Sequence, residues 1–298
     1  MNTKDIFLAL LVVLIWGVNF SFIKVGLQEL PPILFSALRF AVVALPAVLF
    51  IPFPKTSKWN VIGVGMFLGV FKFGLLFIAM KSDASAGLSS LILQAQVFFT
   101  IVLSVLFLKE HIAKVQIAGI GIAVIGFSFY MFNAGGNITV LGLMLILSAA
   151  FFWAIANVMM KRMQGVNLFH FIIWVSLIPP LPLLALSLLM ETSNPVEVLL
   201  STSMKTWGAL AYVSYISTLL AFALWGALLK NYSAASVTPF ALLIPVVGML
   251  TSNIMLNESL ETSEIVGALM IMSGLVICVL GKRLLALLVA PSLQKNLG

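Results

Sequence analysis

Ten stretches of about twenty mostly apolar residues follow one another along this 298-residue chain, with charges almost confined to the gaps between them. About 20 apolar residues are needed for a helix to cross the hydrocarbon of a bilayer. Only helices and closed barrels cross it with every backbone polar group satisfied. The stretches are Ile6–Ile23, Pro32–Ile51, Asn60–Met80, Ala84–Leu108, Val115–Phe132, Ile138–Met160, Leu168–Met190, Thr206–Leu229, Ala234–Leu256 and Ile265–Leu280. The longest connection, about Glu191–Lys205, is too short to fold alone. The first stretch lacks a small-residue cleavage site and is expected to be retained rather than removed as a signal peptide. Only 8% of residues are charged, against roughly a quarter in a soluble domain. That excludes a cytosolic enzyme, a secreted domain and a nucleic-acid-binding module. The net charge of +7 is spread over short loops and forms no basic patch, so no nucleic-acid partner is expected. The single cysteine, Cys278, excludes a disulfide framework and a cysteine-based zinc site. The expected fold is all-α, a polytopic membrane protein of ten transmembrane helices.

Lysine and arginine set orientation, because loops rich in them stay in the cytoplasm. With the N-terminus inside, the inner side carries Lys4, Lys55, Lys58, Lys109, Lys114, Lys161, Arg162, Lys230, Lys282, Arg283 and Lys295. The outer side carries Lys24, Lys81 and Lys205, a ratio of 11 to 3. Asp5 and Glu110 fall inside, and the other seven acids fall outside. Both termini are therefore expected in the cytoplasm, in a bacterial inner membrane.

The halves of the chain resemble each other. Trp16-Gly-Val-Asn-Phe-Ser-Phe-Ile-Lys24 parallels Trp153-Ala-Ile-Ala-Asn-Val-Met-Met-Lys161 at an offset of 137. Trp59 and Trp207, Glu110 and Glu258, Gly119 and Gly267, and Gly126 and Gly274 follow at 148, the difference falling in the longer loop around Glu191–Lys205. Five spans in each half (residues 1–132 and 133–298) is an odd number, so the repeats enter the membrane from opposite sides. Inverted repeats are a transporter architecture with the substrate site near the midplane.

The segments Trp16-Gly-x-Asn-Phe-x-x-Ile-Lys-x-Gly-Leu27, Pro31-Pro32, Leu38-Arg-Phe40, Leu93-Gln-Ala-Gln-x-Phe-Phe-Thr100 and Leu243-Ile-Pro-Val-Val-Gly248 extend the pattern. Together they resemble the EamA-like family of the drug/metabolite transporter superfamily, over essentially the whole chain. The Trp-Gly-x-Asn-Phe and Gln-Ala-Gln segments look most like its amino-acid and metabolite exporters, including exporters of cysteine and O-acetylserine. The resemblance implies two inverted five-helix repeats around a central cavity. Lys72 departs from it, standing where the family would have a neutral polar residue.

Lys72 is the most informative residue, because a lysine at the centre of a span costs about 2.5–3.5 kcal/mol to insert. At helical spacing it shares a face with Gly65, Gly69 and Leu76. It reads as the counter-charge for a substrate carboxylate, or else as a lysine that snorkels or bonds to backbone carbonyls. Arg39 is expected to reach outward to Glu29 or Asp83, or to cap an outer loop; the alternative is a gate or a second anion contact. Trp16, Asn19, Phe20 and Ile23 form a helical stripe repeated by Trp153, Ala156, Asn157 and Met160. The two stripes make facing cavity walls, with aromatic faces and amide oxygens for an ammonium group, or they are helix-packing surfaces. Gln94 and Gln96 point about 200° apart on a regular helix; Gln96 is expected to line the path and Gln94 to bridge helices. Tyr215, Thr218, Phe222 and Trp225 make a further aromatic–polar stripe, either packing or interfacial belt or, through Tyr215 and Thr218, substrate-binding; Pro239 and Pro245 favour a bent helix that is a hinge or part of a site.

His111 and His170 are far apart, and no metal-ligand spacing, Walker motif, dinucleotide fingerprint or paired intramembrane carboxylate occurs. No cofactor or metal is expected, and no ATP-driven chemistry. The leading expectation is not an enzyme but a monomeric secondary transporter, exporting a small amino-acid-like molecule by alternating access. The alternatives are an importer or exchanger of an anionic metabolite, and an integral-membrane lipid enzyme. The last lacks the clustered acids or histidines it would need.

Overall fold

The protein is described by a computed structural model over residues 1–132, 136–163 and 165–295, with side chains for all of these except 234, 235 and 282–295. Lys282, Arg283 and Lys295, counted in the loop charges, fall outside the described side chains. The described chain is α-helical, with an isolated two-residue bridge between Ala84 and Ile138.

The transmembrane helices are α1 (Thr3–Gly26), α2 (Pro32–Ala47), α3 (Lys58–Ser82), α4 (Ala86–Leu108), α5 (Lys114–Phe132), α6 (Val140–Lys161), α7 (Leu168–Met190), α8 (Met204–Asn231), α9 (Thr238–Leu256) and α10 (Thr262–Lys295). Among the described residues nine of these are long and apolar enough to cross a membrane. The tenth, α2, has 16 residues and spans about 24 Å at 1.5 Å per residue. It ends at Ala47 rather than Ile51, because Pro46 lacks a backbone donor and Pro52 disfavours helical geometry at Ile51. Helix starts are fixed by side-chain caps: Asn2, Ser57, Ser85, Thr139, Asn167 and Ser203 each accept a backbone N–H of the first turn. The long connection holds a short helix, Pro195–Ser201.

Five helices are irregular. Gly65–Lys72 of α3 and Tyr212–Leu220 of α8 wind in wide π-helical turns, whose bonds reach back five residues. The α4 helix is interrupted at Leu93–Gln94, α7 between Val175 and Pro180, and α9 opens with a tight 3₁₀ stretch, Thr238–Leu243. At membrane depth such backbone persists only where it is buried in protein or lines a cavity. Two helices end alike: Lys109 after α4 and Asn257 after α9 both take left-handed backbone geometry at φ 55°.

Packing follows the small residues. On α5 and α10, Gly119 lies against Gly274 and Gly126 against Gly267, so the backbones nearly touch. A Cβ built on Gly274 would stand 2.5 Å from the Gly119 carbonyl oxygen. Gly274→Ile should therefore lower stability by about 1–3 kcal/mol through overpacking. The thermal midpoint of the purified protein in detergent checks this; an unchanged midpoint would mean the helices separate freely. Elsewhere α2 packs on α7, α4 on α9, α1 on α8 and α9, and α6 on α3 and α4.

The two ends of the bundle differ. At the acidic end, carboxylates cap the starts of other helices. Glu191 accepts the N–H groups of Ile33 and Leu34 (2.7 and 3.0 Å), and Glu258 those of Ala86 and Gly87 (3.0 and 3.2 Å). Glu29 accepts the Ser203 N–H at 2.7 Å. That bond holds the Glu29 carboxyl below its ordinary range, so this cap persists at neutral pH and is lost as pH falls through the lowered value. Lys24 ties the end of α1 to the carbonyls of Met80 and Ala84, and Lys81 donates to Leu27. The basic end has one ion pair among the described residues, Lys161 with Glu110 at 2.6 Å.

Candidate functional site

The irregular segments meet around one cavity of about 580 Å³. It extends to the basic end, where Met160, Leu168, Leu229 and Thr238 line it. In the other direction it stops at Phe20, Leu76 and Ser90, beyond which Ile23, Phe77, Met80 and Leu88 are fully buried. The cavity is thus open to one side of the membrane and closed to the other.

Lys72 and Arg39 are both buried and both line it. The Lys72 ammonium lies 3.2 Å from the Phe73 ring centre and 4.6 Å from that of Trp153. Among the described residues it makes no hydrogen bond to backbone, and it is 4% exposed. Gly65 and Gly69 turn instead to Ile178 and Pro179 at the break of α7. The wide turns ending at Lys72 separate it from the glycine face that regular spacing predicts, and Leu68 and Leu76 line the cavity beside it.

Arg39 does not reach outward. Its guanidinium carbon stacks 4.0 Å from the centre of the same Phe73 ring, and its Nη2 donates to Thr218 Oγ1 at 3.0 Å. The Thr218 hydroxyl donates in turn to the Val213 carbonyl, a five-residue reach set by the wide turns of α8. Among the described residues Arg39 Nε and Nη1 are buried without a hydrogen-bond partner. Glu29 and Asp83, its expected partners, are taken by Ser203 and Thr139.

Trp16, Asn19 and Phe20 line one wall, Trp153, Asn157 and Met160 another. Trp16 donates its indole N–H to the Ser217 carbonyl (3.0 Å) and packs edge-on to Phe222 and tilted to Trp225. Asn157 donates to Gln96 Oε1 (2.7 Å) and Thr100 Oγ1 (3.2 Å), while Asn19 Oδ1 is buried with no hydrogen-bond partner among the described residues. Gln94 and Gln96 both line the cavity, against the expectation from a regular helix. The break at Leu93–Gln94 resets the helical phase, and Gln94 reaches the Ala241 carbonyl at 3.4 Å. Pro245, lacking an N–H, cannot bond back to that carbonyl. Pro239 sits in the 3₁₀ stretch and Pro245 in the first turn of regular helix that follows it.

Of the eighth-span stripe, Thr218, Phe222 and Trp225 line the cavity, but Tyr215 is 43% exposed on the outside of the bundle. Wide turns put Thr218 in line with Val213 rather than Tyr215. Sequence spacing missed Phe73, Ser90 and Ser217 as lining residues; the adjacency of Phe73 to Lys72 was the available signal.

These features agree with what the chain is similar to. A model of the EamA-like transporter family matches residues 3–132 and again 140–280. The chain belongs to that family. As an EamA-like transporter it is 41% identical over 290 residues to a protein of Salmonella typhimurium named "Probable amino-acid metabolite efflux pump", covering 95% of this chain and 97% of that one. A protein of the same name from Escherichia coli K12 is 38% identical with the same coverage. A crystal structure 18% identical to it superposes with a TM-score of 0.62, covering 96% of this chain and 99% of the other, and shows the fold alone.

Proposed function

We propose that this EamA-like transporter is a bacterial inner-membrane exporter of a small amino-acid-like metabolite, working by alternating access as a monomer. The observation that carries it is the cavity of about 580 Å³, open at the basic end and closed at the acidic end, lined by Lys72, Arg39 and the amides Asn19, Gln94, Gln96 and Asn157. The names of the two bacterial relatives support the substrate class. Residues 1–132 and 133–298 would be the rocking units. In support, the family matches the chain twice. The wide turns of α3 and α8 also end at an offset of 148, at Lys72 and Leu220, as do the left-handed ends Lys109 and Asn257. Lys72 meets the substrate carboxylate; Asn19, Gln96, Asn157, Phe20 and the tryptophans Trp16 and Trp153 meet the rest. Thr218 acts by holding Arg39, and the α9 prolines Pro239 and Pro245 serve as the hinge.

The direct test is efflux of labelled amino acids from proteoliposomes holding the full chain. Efflux above that of protein-free vesicles is expected; none across the panel would remove the reading. Orientation has its own test. With the basic end cytoplasmic, a reporter active only in the cytoplasm should be active when fused after Gly298. A silent cytoplasmic fusion with an active periplasmic one would reverse the assignment, and the cavity would then open outward.

A further inference from the structure

We propose that the preferred substrate is a dicarboxylic α-amino acid, with one carboxylate on Lys72, one on Arg39 and the ammonium on Asn19 Oδ1. This rests on the exporter reading and names the substrate within it. The cavity brings together two cations against the Phe73 ring, and among the described residues no aspartate or glutamate lines it. A buried charge without a partner is costly, and a pair of them repel across a medium of low dielectric. Arg39 is held by Thr218 through Nη2, and among the described residues Nε and Nη1 have no acceptor. A neutral zwitterion supplies one carboxylate for two cations and adds a third positive group. A dicarboxylic amino acid supplies two, with net charge −1. The third orphan is an acceptor, Asn19 Oδ1, which suits an ammonium donor. A cavity of about 580 Å³ holds such a molecule with its shell of water.

The experiment uses isosteric pairs. Proteoliposomes containing the full chain are loaded with labelled aspartate or asparagine, and with glutamate or glutamine, and initial efflux rates are compared over a concentration series. Each pair has one size and differs by one charge. The acids should be favoured at least tenfold in rate at low concentration, and Arg39→Gln should reduce that ratio below threefold. Succinate, with both carboxylates and no amine, should compete less well than aspartate. Equal rates for acid and amide in the unaltered protein, or a preference for the amide, would overturn the inference while leaving the exporter reading intact. Parity of succinate with aspartate would overturn the role of Asn19. If Arg39→Gln fails to fold, the comparison in the unaltered protein still decides. If no amino acid crosses at all, the exporter reading falls and this inference falls with it.

Discussion

Replacing Lys72 with glutamine is expected to weaken transport of amino acids bearing a free carboxylate by roughly ten- to hundredfold, while esters and amides of the same compounds change little. A buried charge-assisted hydrogen bond is worth about 1.5–3 kcal/mol, and each 1.4 kcal/mol is a factor of ten. Lys72 is 4% exposed with the Phe73 and Trp153 rings against it, and among the described lining residues no carboxylate is present to dilute the effect. Glutamine keeps an N–H donor on a side chain one atom shorter and removes the charge. The readout is the half-saturating concentration for each acid and its methyl ester in proteoliposomes. Equal losses for the two classes would assign Lys72 a structural role and end the counter-charge reading. The same geometry disfavours quaternary-ammonium compounds as main substrates, since a cation would meet Lys72 and Arg39 with no carboxylate among the described lining residues.

The spans were legible because the bilayer admits few solutions: long apolar stretches must be helices, and their connections must carry the charge. Side-chain directions were legible only where the helix is regular. On α1 and α6 the 3.6-residue period holds, and Trp16, Asn19, Trp153 and Asn157 reach the cavity as the stripes predict. On α3, α4 and α8 the period fails. Wide turns carry Lys72 off the Gly65–Gly69 face and Tyr215 out of the cavity, and a break in α4 brings Gln94 and Gln96 to the same space. The wide turn of α8 and the break of α4 have no proline or glycine to announce them, and Gly65 and Gly69 in α3 do not by themselves specify a wide turn. The wide turns are held by packing, such as Pro179 against Gly69, which joins residues more than a hundred apart. Arg39 fails for another reason. Glu29 and Asp83 are within its expected reach along the chain, but helix starts far away in sequence claim both carboxylates first.

Transport is expected to run as facilitated diffusion or exchange, with any proton coupling confined to Lys72. All nine acids fall in connections or at helix ends, whereas proton-driven carriers commonly relay through carboxylates or histidines inside the membrane. His111 is exposed in a connection. His170 sits in the first turn of α7 beside Phe169, and its neighbours Leu168 and Ile172 line the cavity while it does not. Arginine does not deprotonate in proteins, so Arg39 cannot carry a proton cycle. Lys72 is then the one amine or acid of the described cavity lining able to exchange a proton. An anionic substrate also needs no proton to leave the cell. An inside-negative potential drives each exported negative charge by about 2.3 kcal/mol per 100 mV. The check is efflux from proteoliposomes with a pH gradient and with a potassium diffusion potential, each imposed alone. The potential should accelerate efflux of an acid and leave its amide unchanged. The pH gradient should alter rates by less than about twofold in Lys72→Gln. Uphill transport driven by the pH gradient in that variant would overturn the expectation, and would place the proton path in groups outside the cavity lining, His170 first among them.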